Sequence, residues 1–112
     1  MVFVNVAKEK VAELIGDDLS TGELGTSSQT AVVTDTGLIA GDSDTIDTLE
    51  VTQVGRQLEI DFNLDSITGN GSTYQEYANF FTDGTMMNRV TFVPVIKSSS
   101  ITLNVKTILK VN

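Results

Sequence analysis

The stretch from Leu49 to Val111 alternates between apolar and polar residues, and this alternation constrains the fold more than any other feature. Every second residue from Leu58 to Leu64 is apolar, and the same holds from Ile101 to Val105. A period of two places every second side chain on the same face of a β-strand. One face can therefore be buried while the other meets water or a partner chain. The pattern predicts an antiparallel β domain that acts as a scaffold.

The composition limits the chemistry that the chain can perform. Its 112 residues suffice for one domain, residues 1–112, with a core that needs no metal or disulfide. There is no Cys and no His, which excludes disulfides, thiolate chemistry and the commonest general base. With no Trp and few aromatic residues, a stacking platform for bases or sugars is not expected. We therefore predict no catalytic residues, no cofactor and no enzymatic activity.

The charge is unevenly placed along the chain. Residues 1–50 carry ten acidic residues and two lysines, whereas residues 51–112 carry five of each sign, and no acid follows Asp83. The net charge of −8 argues against nucleic acid as a partner. No run of about 18 apolar residues exists and the start lacks a signal-peptide pattern, so we expect no membrane association. The asymmetry serves either solubility or contact between the front of one copy and the back of another.

Residues 1–16 are expected to form a helix or an arm. Asn5 suits an N-terminal cap, Val6–Ile15 contains good helix formers with an apolar stripe, and Gly16 suits a C-terminal cap. The alternative is a strand over Met1–Val6 that joins the edge of the sheet. Residues 17–46 are rich in Ser, Thr, Gly and Asp, which predicts a long loop. Small apolar islands at 31–33 and 38–40 are expected to hold this loop against the core.

Residues 47–112 are expected to form the β core. The predicted strands are Asp47–Val54, Arg56–Asp65, Gln75–Thr82, Arg89–Ile96 and Ile101–Val111. The predicted fold is therefore mainly β: an antiparallel β-sandwich with a short N-terminal helix and a long Ser/Thr/Gly-rich loop.

Turn-forming residues separate these strands. Gly55 predicts a bulge or tight break, and the segments 68–72, 82–85 and 98–100 predict hairpin turns. Pro94 cannot donate a ladder hydrogen bond. Its strand is therefore expected to lie at a sheet edge or to carry a bulge.

The best candidate for a metal site is weak. Asp42, Asp44 and Asp47 place three carboxylates in one loop, and oxygen-rich loops bind Ca²⁺. The segment lacks the Gly and the distant bidentate Glu of an EF-hand, so a solvated loop is the favoured interpretation and no metal is predicted.

Two basic residues flank the apolar fourth strand. Arg89 and Lys97 either block stray pairing at an edge, or contact Glu76 across a hairpin or an acidic loop of another subunit. A Ser98–Lys97 catalytic pair is disfavoured, because neighbours at a strand end point to opposite sides.

Two segments of the sequence resemble virion proteins of tailed phages, in particular small β domains of tail fibre and tail collar type. The first is Gly22–Thr30 with Thr34–Leu38, which is similar to the recurring phrase G-T-G/S-x-x-T … (S/T)-D-T-x-L. The second lies within residues 74–97 and includes Glu76, Phe80-Phe81, Asp83-Gly84 and Arg89. Ser27 replaces the usual second Gly of the first phrase, and Tyr77-Ala78-Asn79 follows Glu76 where a Gly often stands.

The resemblance implies a non-enzymatic structural protein of the virion, made in the host cytoplasm. Its expected partners are copies of itself, as a trimer or ring, and other virion proteins. A tail, fibre or neck component is the first expectation; a capsid decoration or turret protein is an alternative. A further alternative is a receptor- or glycan-binding module at a virion tip, which predicts exposed Tyr74 and Tyr77. The residues expected near the subunit contact or core are Phe80, Phe81, Met86, Met87, Arg89, Phe92 and Pro94.

Overall fold

The computed structural model describes all residues from Met1 to Asn112 and confirms a mainly β fold with one N-terminal helix. The elements are α1 (Asn5–Asp18), β1 (Leu19–Gly25), β2 (Asp47–Thr48), β3 (Glu50–Val54), β4 (Gln57–Leu64), β5 (Thr73–Phe81), β6 (Met86–Ile96) and β7 (Leu103–Lys110), with a 3-10 turn at Ser43–Thr45. Two antiparallel sheets, in the strand orders β2-β1-β5-β6 and β3-β4-β7, enclose the core.

The alternating run of β4 occupies the centre of the core, as predicted. Leu58, Ile60, Phe62 and Leu64 are at most 3% exposed. On the neighbouring β7, Leu109 pairs with Leu58, and Leu103, Val105 and Leu109 pack against the core between the sheets. Burying a side chain of this size contributes about 1.5–3 kcal/mol. The alternation thus identifies the buried face correctly.

The helix differs from the prediction at both ends. Val4 is the N-terminal cap residue and makes no side-chain hydrogen bond, whereas Asn5 is already helical. The helix also continues through Gly16 to Asp18, so Gly16 is not its cap. A Cβ at Gly16 would lie 3.1 Å from Leu58 Cδ2, which shows how closely the helix approaches β4 at this point. Met1–Val4 has no regular structure, so the alternative of a leading strand is wrong.

The expected loop at residues 17–46 begins with a strand that sequence analysis missed. β1 pairs with β5 over most of its length and with β2 on its other side. Its residues 19–25 are mostly small or polar, so they lack the alternation that identifies β4. The close approach of Phe62 accounts for the glycine at position 22, because a Cβ there would lie 2.6 Å from Phe62 Cδ2. The true loop therefore starts at Thr26.

Only one of the predicted hairpin turns between residues 68 and 100 joins paired strands. The turn at 82–85 links β5 to β6, which pair, and Gly84 has the positive φ of 90° that this turn requires. The segments 68–72 and 98–100 instead carry the chain from one sheet to the other. The hairpin prediction for these two segments is wrong, because Asn-Gly and Ser-rich signals mark a reversal without specifying which strand it pairs with. Gly55, with a φ of 61°, lies in the turn between β3 and β4.

Each sheet ends in one long edge strand, and these two edge strands lie on the same side of the sandwich. β6 ends the first sheet and β7 ends the second, and the two strands are not hydrogen-bonded to each other. Pro94 therefore lies on an edge strand, as predicted. We call this side the open side, defined by β6 and β7. The opposite side, formed by β2 and β3, is called the acidic side, for reasons given below.

Candidate functional site

A buried carboxylate on β5 holds the long loop against the outer face of the first sheet. Glu76 is fully buried, and its Oε2 accepts hydrogen bonds from the backbone N–H groups of Ser27 (3.0 Å) and Ala40 (2.9 Å). Its Oε1 accepts a third from the N–H of Ile39 at 3.0 Å. The start and the end of the loop are therefore fixed to one side chain. The apolar islands play a smaller part in this than expected, since Val33 is fully exposed and Val32 and Ile39 are about half-exposed.

Arg89 completes this arrangement from the adjacent strand. Its Nε donates to Glu76 Oε1 at 3.0 Å, its Nη1 to Asp35 Oδ2 at 3.2 Å and its Nη2 to the carbonyl oxygen of Gln29 at 2.7 Å. The guanidinium thus links two strands and the middle of the loop. Of the two interpretations of Arg89, contact with Glu76 across the hairpin is the one observed. The side chain does not protect the strand edge, since it is only 1% exposed.

The environment of Glu76 favours the ionised form. Burial alone would raise its pKa, but the hydrogen bonds from Ala40 and Ser27, the Arg89 guanidinium and the bond from Ile39 outweigh burial and lower it. Nearby, Glu23 has a raised pKa because it is partly desolvated and faces Asp42 and Glu76. The cluster therefore has the properties of a structural latch, with every hydrogen-bonding group of Glu76 engaged inside the protein.

Lys97 has a comparable internal role at the other end of β6. Its ammonium group donates to Asn70 Oδ1 at 2.9 Å and to the carbonyl oxygen of Ser98 at 3.1 Å, and the residue is 1% exposed. It therefore fixes the inter-sheet turn and is not an edge charge. The Ser98 hydroxyl pairs with the hydroxyl of Ser100. No Ser–Lys pair with catalytic geometry is formed.

The three candidate calcium ligands have separate local roles. Asp42 accepts from the N–H of Asp44 at 3.1 Å, which caps the 3-10 turn, and from the hydroxyl of Tyr74 at 2.7 Å. Asp47 accepts from the N–H of Thr48. No group of three or more acidic side chains in the structure is arranged to hold a metal ion.

The tyrosines predicted to be exposed in a glycan-binding module are both buried. Tyr74 and Tyr77 are 0% exposed and belong to the core between the sheets. Burial, followed by the hydrogen bond to Asp42, raises the pKa of Tyr74 to about 12. The expected aromatic surface is therefore absent. Tyr74 and Tyr77 are three residues apart, so a regular strand would place them on opposite faces. A bulge between Tyr74 and Glu76 shifts the alternation, and both side chains therefore lie in the core.

An apolar groove runs between the two edge strands of the open side. Its volume is about 550 Å³. The lining residues are Leu24, Asn88, Val90, Phe92, Val95, Leu103, Asn104, Val105, Lys106, Thr107 and Ile108. Val90 pairs with the buried Tyr77 and so faces the interior, yet it is 42% exposed. The sandwich is thus not closed on this side.

Polar side chains link the sheets at one end of the groove. The hydroxyl of Tyr77 donates to Asn79 Oδ1, and Asn79 Nδ2 donates to Asn88 Oδ1 at 2.9 Å and Thr107 Oγ1 at 3.0 Å. Because buried polar groups must be paired, this network fixes β5 against β6 and β7. Sequence analysis missed it, since the partners lie up to 28 residues apart in the sequence.

The seven residues predicted to lie near the subunit contact or in the core are found in several different places. Phe81 and Met87 pack against the core cluster around Ala12, and Phe92 packs against the cluster around Phe62. Arg89 belongs to the latch, and Met86 lines a smaller pocket beneath the loop. Phe80 is half-buried and Pro94 is exposed.

The two sides of the sandwich carry charges of opposite sign. On the acidic side, β2, β3 and the 3-10 turn bear the exposed side chains of Asp44, Asp47 and Glu50 and no Lys or Arg. On the open side, the exposed charges of β6 and β7 are Lys106 and Lys110, and neither strand has an acid. Four basic residues follow Asp83 in the sequence. Arg89 and Lys97 are buried, so only Lys106 and Lys110 reach solvent on this side. Lys106 lies 4.0 Å from Glu59 of the same chain, which leaves Lys110 as the cation of this side without an acidic partner in the subunit.

No helix has the length and apolar character needed to cross a membrane. Comparison of the chain with known protein families, with curated proteins and with solved structures found no significant match.

Proposed function

We propose that the chain is a non-enzymatic structural protein of a tailed-virus virion, a tail, fibre or neck component that assembles head-to-tail with copies of itself. The open side of one copy contacts the acidic side of the next. Such a contact joins two different surfaces and therefore builds a ring when its rotation closes. The virion assignment rests on the resemblance of Gly22–Leu38 and of residues 74–97 to phage structural proteins. A capsid decoration or turret protein would use the same contact.

The observation that carries the proposal is the uncharged, apolar edge of β6. Natural proteins normally protect long edge strands with charges, prolines or bulges, because unpaired N–H and C=O groups recruit other strands. β6 has 11 residues, and between Arg89 and Lys97 it bears no charged side chain. Val93 and Ile96 are 82% and 68% exposed. Pro94 and the irregular register between Thr91 and Val95 interrupt this edge, so the proposal rests on its exposed, uncharged side chains.

Complementary charge supports the choice of partner. Lys106 and Lys110 of one copy would meet Asp44, Asp47 and Glu50 of the next. Opposite charges at the rim of a contact raise the association rate and select the correct orientation. Their contribution falls with added salt, because exposed charges are screened within about 8 Å at physiological ionic strength.

The non-enzymatic part of the proposal is supported by the engagement of the buried ionisable groups. Glu76, Arg89 and Lys97 all have internal partners, and no buried side-chain polar atom lacks one. A catalytic residue must also reach a substrate, and these three residues are at most 9% exposed.

Sedimentation velocity at micromolar concentration tests the assembly. The wild-type chain should form a discrete oligomer, and Val93→Lys should shift it toward monomer by placing a charge on the exposed edge. Ile67→Lys is the matched control, because Ile67 is also 82% exposed but lies in the turn after β4. A wild-type chain that remains monomeric would refute the assembly. Absence of the protein from purified virus particles would refute the virion assignment.

A further inference from the structure

The residues before α1 and the first turn of the helix carry a run of exposed apolar side chains. Met1, Val2, Phe3, Val4 and Val6 are all exposed, at 122%, 83%, 48%, 52% and 72%. Val4 has an extended backbone, with φ −71° and ψ 157°. Exposed apolar residues are normal when scattered singly, but a contiguous run marks an interaction site. We call Met1–Val4 the N-terminal arm.

The arm leaves the body at the end of the sandwich where α1 meets the β3–β4 turn. α1 docks through its second half, where Ala12 is fully buried and Ile15 packs on the core. Gln53 of β3 donates to the carbonyl oxygen of Glu9 at 2.9 Å, and Gly55 in the β3–β4 turn lies next to Glu9. The residues before Glu9 therefore extend past this turn. A neighbour that presents its acidic side also presents its arm.

We propose that the arm of one copy lies in the groove on the open side of the next copy, extended along the edge of β6. This inference rests on the head-to-tail assembly proposed above and names the segment that makes the contact. Phe3 enters the groove against Val90, Phe92 and Leu103. The backbone of the arm pairs with the free N–H and C=O groups of β6, which is the strand-addition mode of recognition.

The dimensions and the chemistry of the two partners agree. Residues Met1–Val4 in extended form span about 13 Å at about 3.3 Å per residue, which is long enough to run along β6 from Val90 to Val93. Neither the arm nor this stretch carries a charged side chain. Burial of Phe3 would also cover Val90, which faces the interior and yet is exposed. The arm would thereby supply the side chains that the open sandwich lacks.

Side chains alternate between two faces along an extended backbone, so two neighbouring residues of the arm provide a matched pair of variants. In an extended arm Phe3 faces the groove, whereas Val2 faces away from it. Phe3→Asp should therefore abolish the oligomer in sedimentation velocity, and Val2→Asp should leave it intact. Both residues are exposed in the isolated chain, so neither substitution is expected to disturb folding.

Cross-linking tests the same contact directly, since the chain has no Cys of its own. Two single variants, Phe3→Cys and Val90→Cys, are mixed and oxidised, and the disulfide-linked pair is identified by its mass. The mixed product should exceed that of Phe3→Cys with Ile67→Cys by about tenfold or more, the ratio that 1.4 kcal/mol of preference produces.

The outcomes separate this inference from the assembly itself. An oligomer that persists in Phe3→Asp, together with equal cross-linking to Val90 and Ile67 positions, would overturn the placement of the arm while leaving the head-to-tail assembly standing. Equal loss of the oligomer in Val2→Asp and Phe3→Asp would also overturn it, because strand addition distinguishes the two faces. A monomeric wild-type chain would overturn both proposals.

Discussion

Replacing Glu76 by Gln should destabilise the protein by several kcal/mol and release the long loop. The substitution preserves the size of the side chain but removes its charge and one of its two acceptor oxygens. The buried Arg89 guanidinium then loses its charged partner. The effect tests whether this single carboxylate, and not the apolar islands of the loop, holds residues 26–46 in place.

The magnitude follows from the hydrogen bonds of the carboxylate. Each oxygen of Glu76 accepts two hydrogen bonds, Oε1 from Ile39 and Arg89 and Oε2 from Ser27 and Ala40. A Gln side chain has one acceptor oxygen and one NH₂ group, so in either orientation two donors face another donor. At about 1.5–3 kcal/mol for each bond to a charged group, the loss is about 3–6 kcal/mol. Removal of one partner from other buried ion pairs costs a similar amount, about 3–5 kcal/mol.

Urea unfolding measures the free energy, and hydrogen exchange locates the change. In Glu76→Gln the amides of Ser27, Ile39 and Ala40 should lose protection. Glu59→Gln is the control: its partner Lys106 is 4.0 Å away and both side chains are substantially exposed, so it should cost less than about 1 kcal/mol. A cost below about 1 kcal/mol for Glu76→Gln, with unchanged exchange at the three amides, would refute the latch.

Three further outcomes are expected from the same structure. Phe62→Ala should cost about 3–5 kcal/mol in urea unfolding, since the ring is fully buried; a loss under 1 kcal/mol would mean that the faces of β4 are wrongly assigned. Gly22→Ala should lower the stability by about 1–3 kcal/mol in thermal unfolding, because its Cβ would overlap Phe62 and Tyr77, and an unchanged midpoint would contradict that close approach. Because the pKa of Glu76 is lowered from its ordinary value near 4.5, its ionised form stabilises the fold above that pH and this contribution disappears as the pH falls through the folded-state pKa. The free-energy difference between wild type and Glu76→Gln should therefore shrink below about pH 4.5, and a difference that stays constant would argue against an ionised Glu76.

A strand can be predicted from the sequence when one of its faces is buried and the other is exposed to solvent, because its apolar and polar residues then alternate. β4 satisfies this condition over its full length, and its buried residues could be named in advance. β1 does not, because its outer face lies under the loop and its inner face must be small where Gly22 meets Phe62. A strand with two constrained faces loses the alternation on which the prediction depends.

The latch could be predicted only in part. Glu76 and Arg89 lie on paired strands, and their opposite charges made contact across the hairpin one of the alternatives. The other partners of Glu76 are backbone N–H groups from 36 to 49 residues away, and every residue except proline has such a group. Side-chain identity therefore gives no indication of where these bonds form.

The same limit applies to the groove, which depends on how the chain passes between sheets. The turn signals at 68–72 and 98–100 predict hairpins, which would pair β4 with β5 and β6 with β7. In that arrangement β6 and β7 would form one continuous sheet and no groove would exist. The sequence did contain one relevant signal, the uncharged run from Val90 to Ile96 that includes the only proline.

The latch and the uncharged edge have a common origin. Arg89 and Lys97 are the only charged residues of the β6 region after the turn, and in the sequence they are placed like residues that guard a strand edge. Both are instead turned away from the edge, Arg89 to bind Glu76 and Asp35, and Lys97 to hold the turn at Asn70. A chain that uses its cations to order its own loops leaves β6 free of charge where another strand can pair with it. Ordering the loop and leaving the edge uncharged are thus two consequences of the same pairings, so the proposed assembly would depend on correct folding of the subunit.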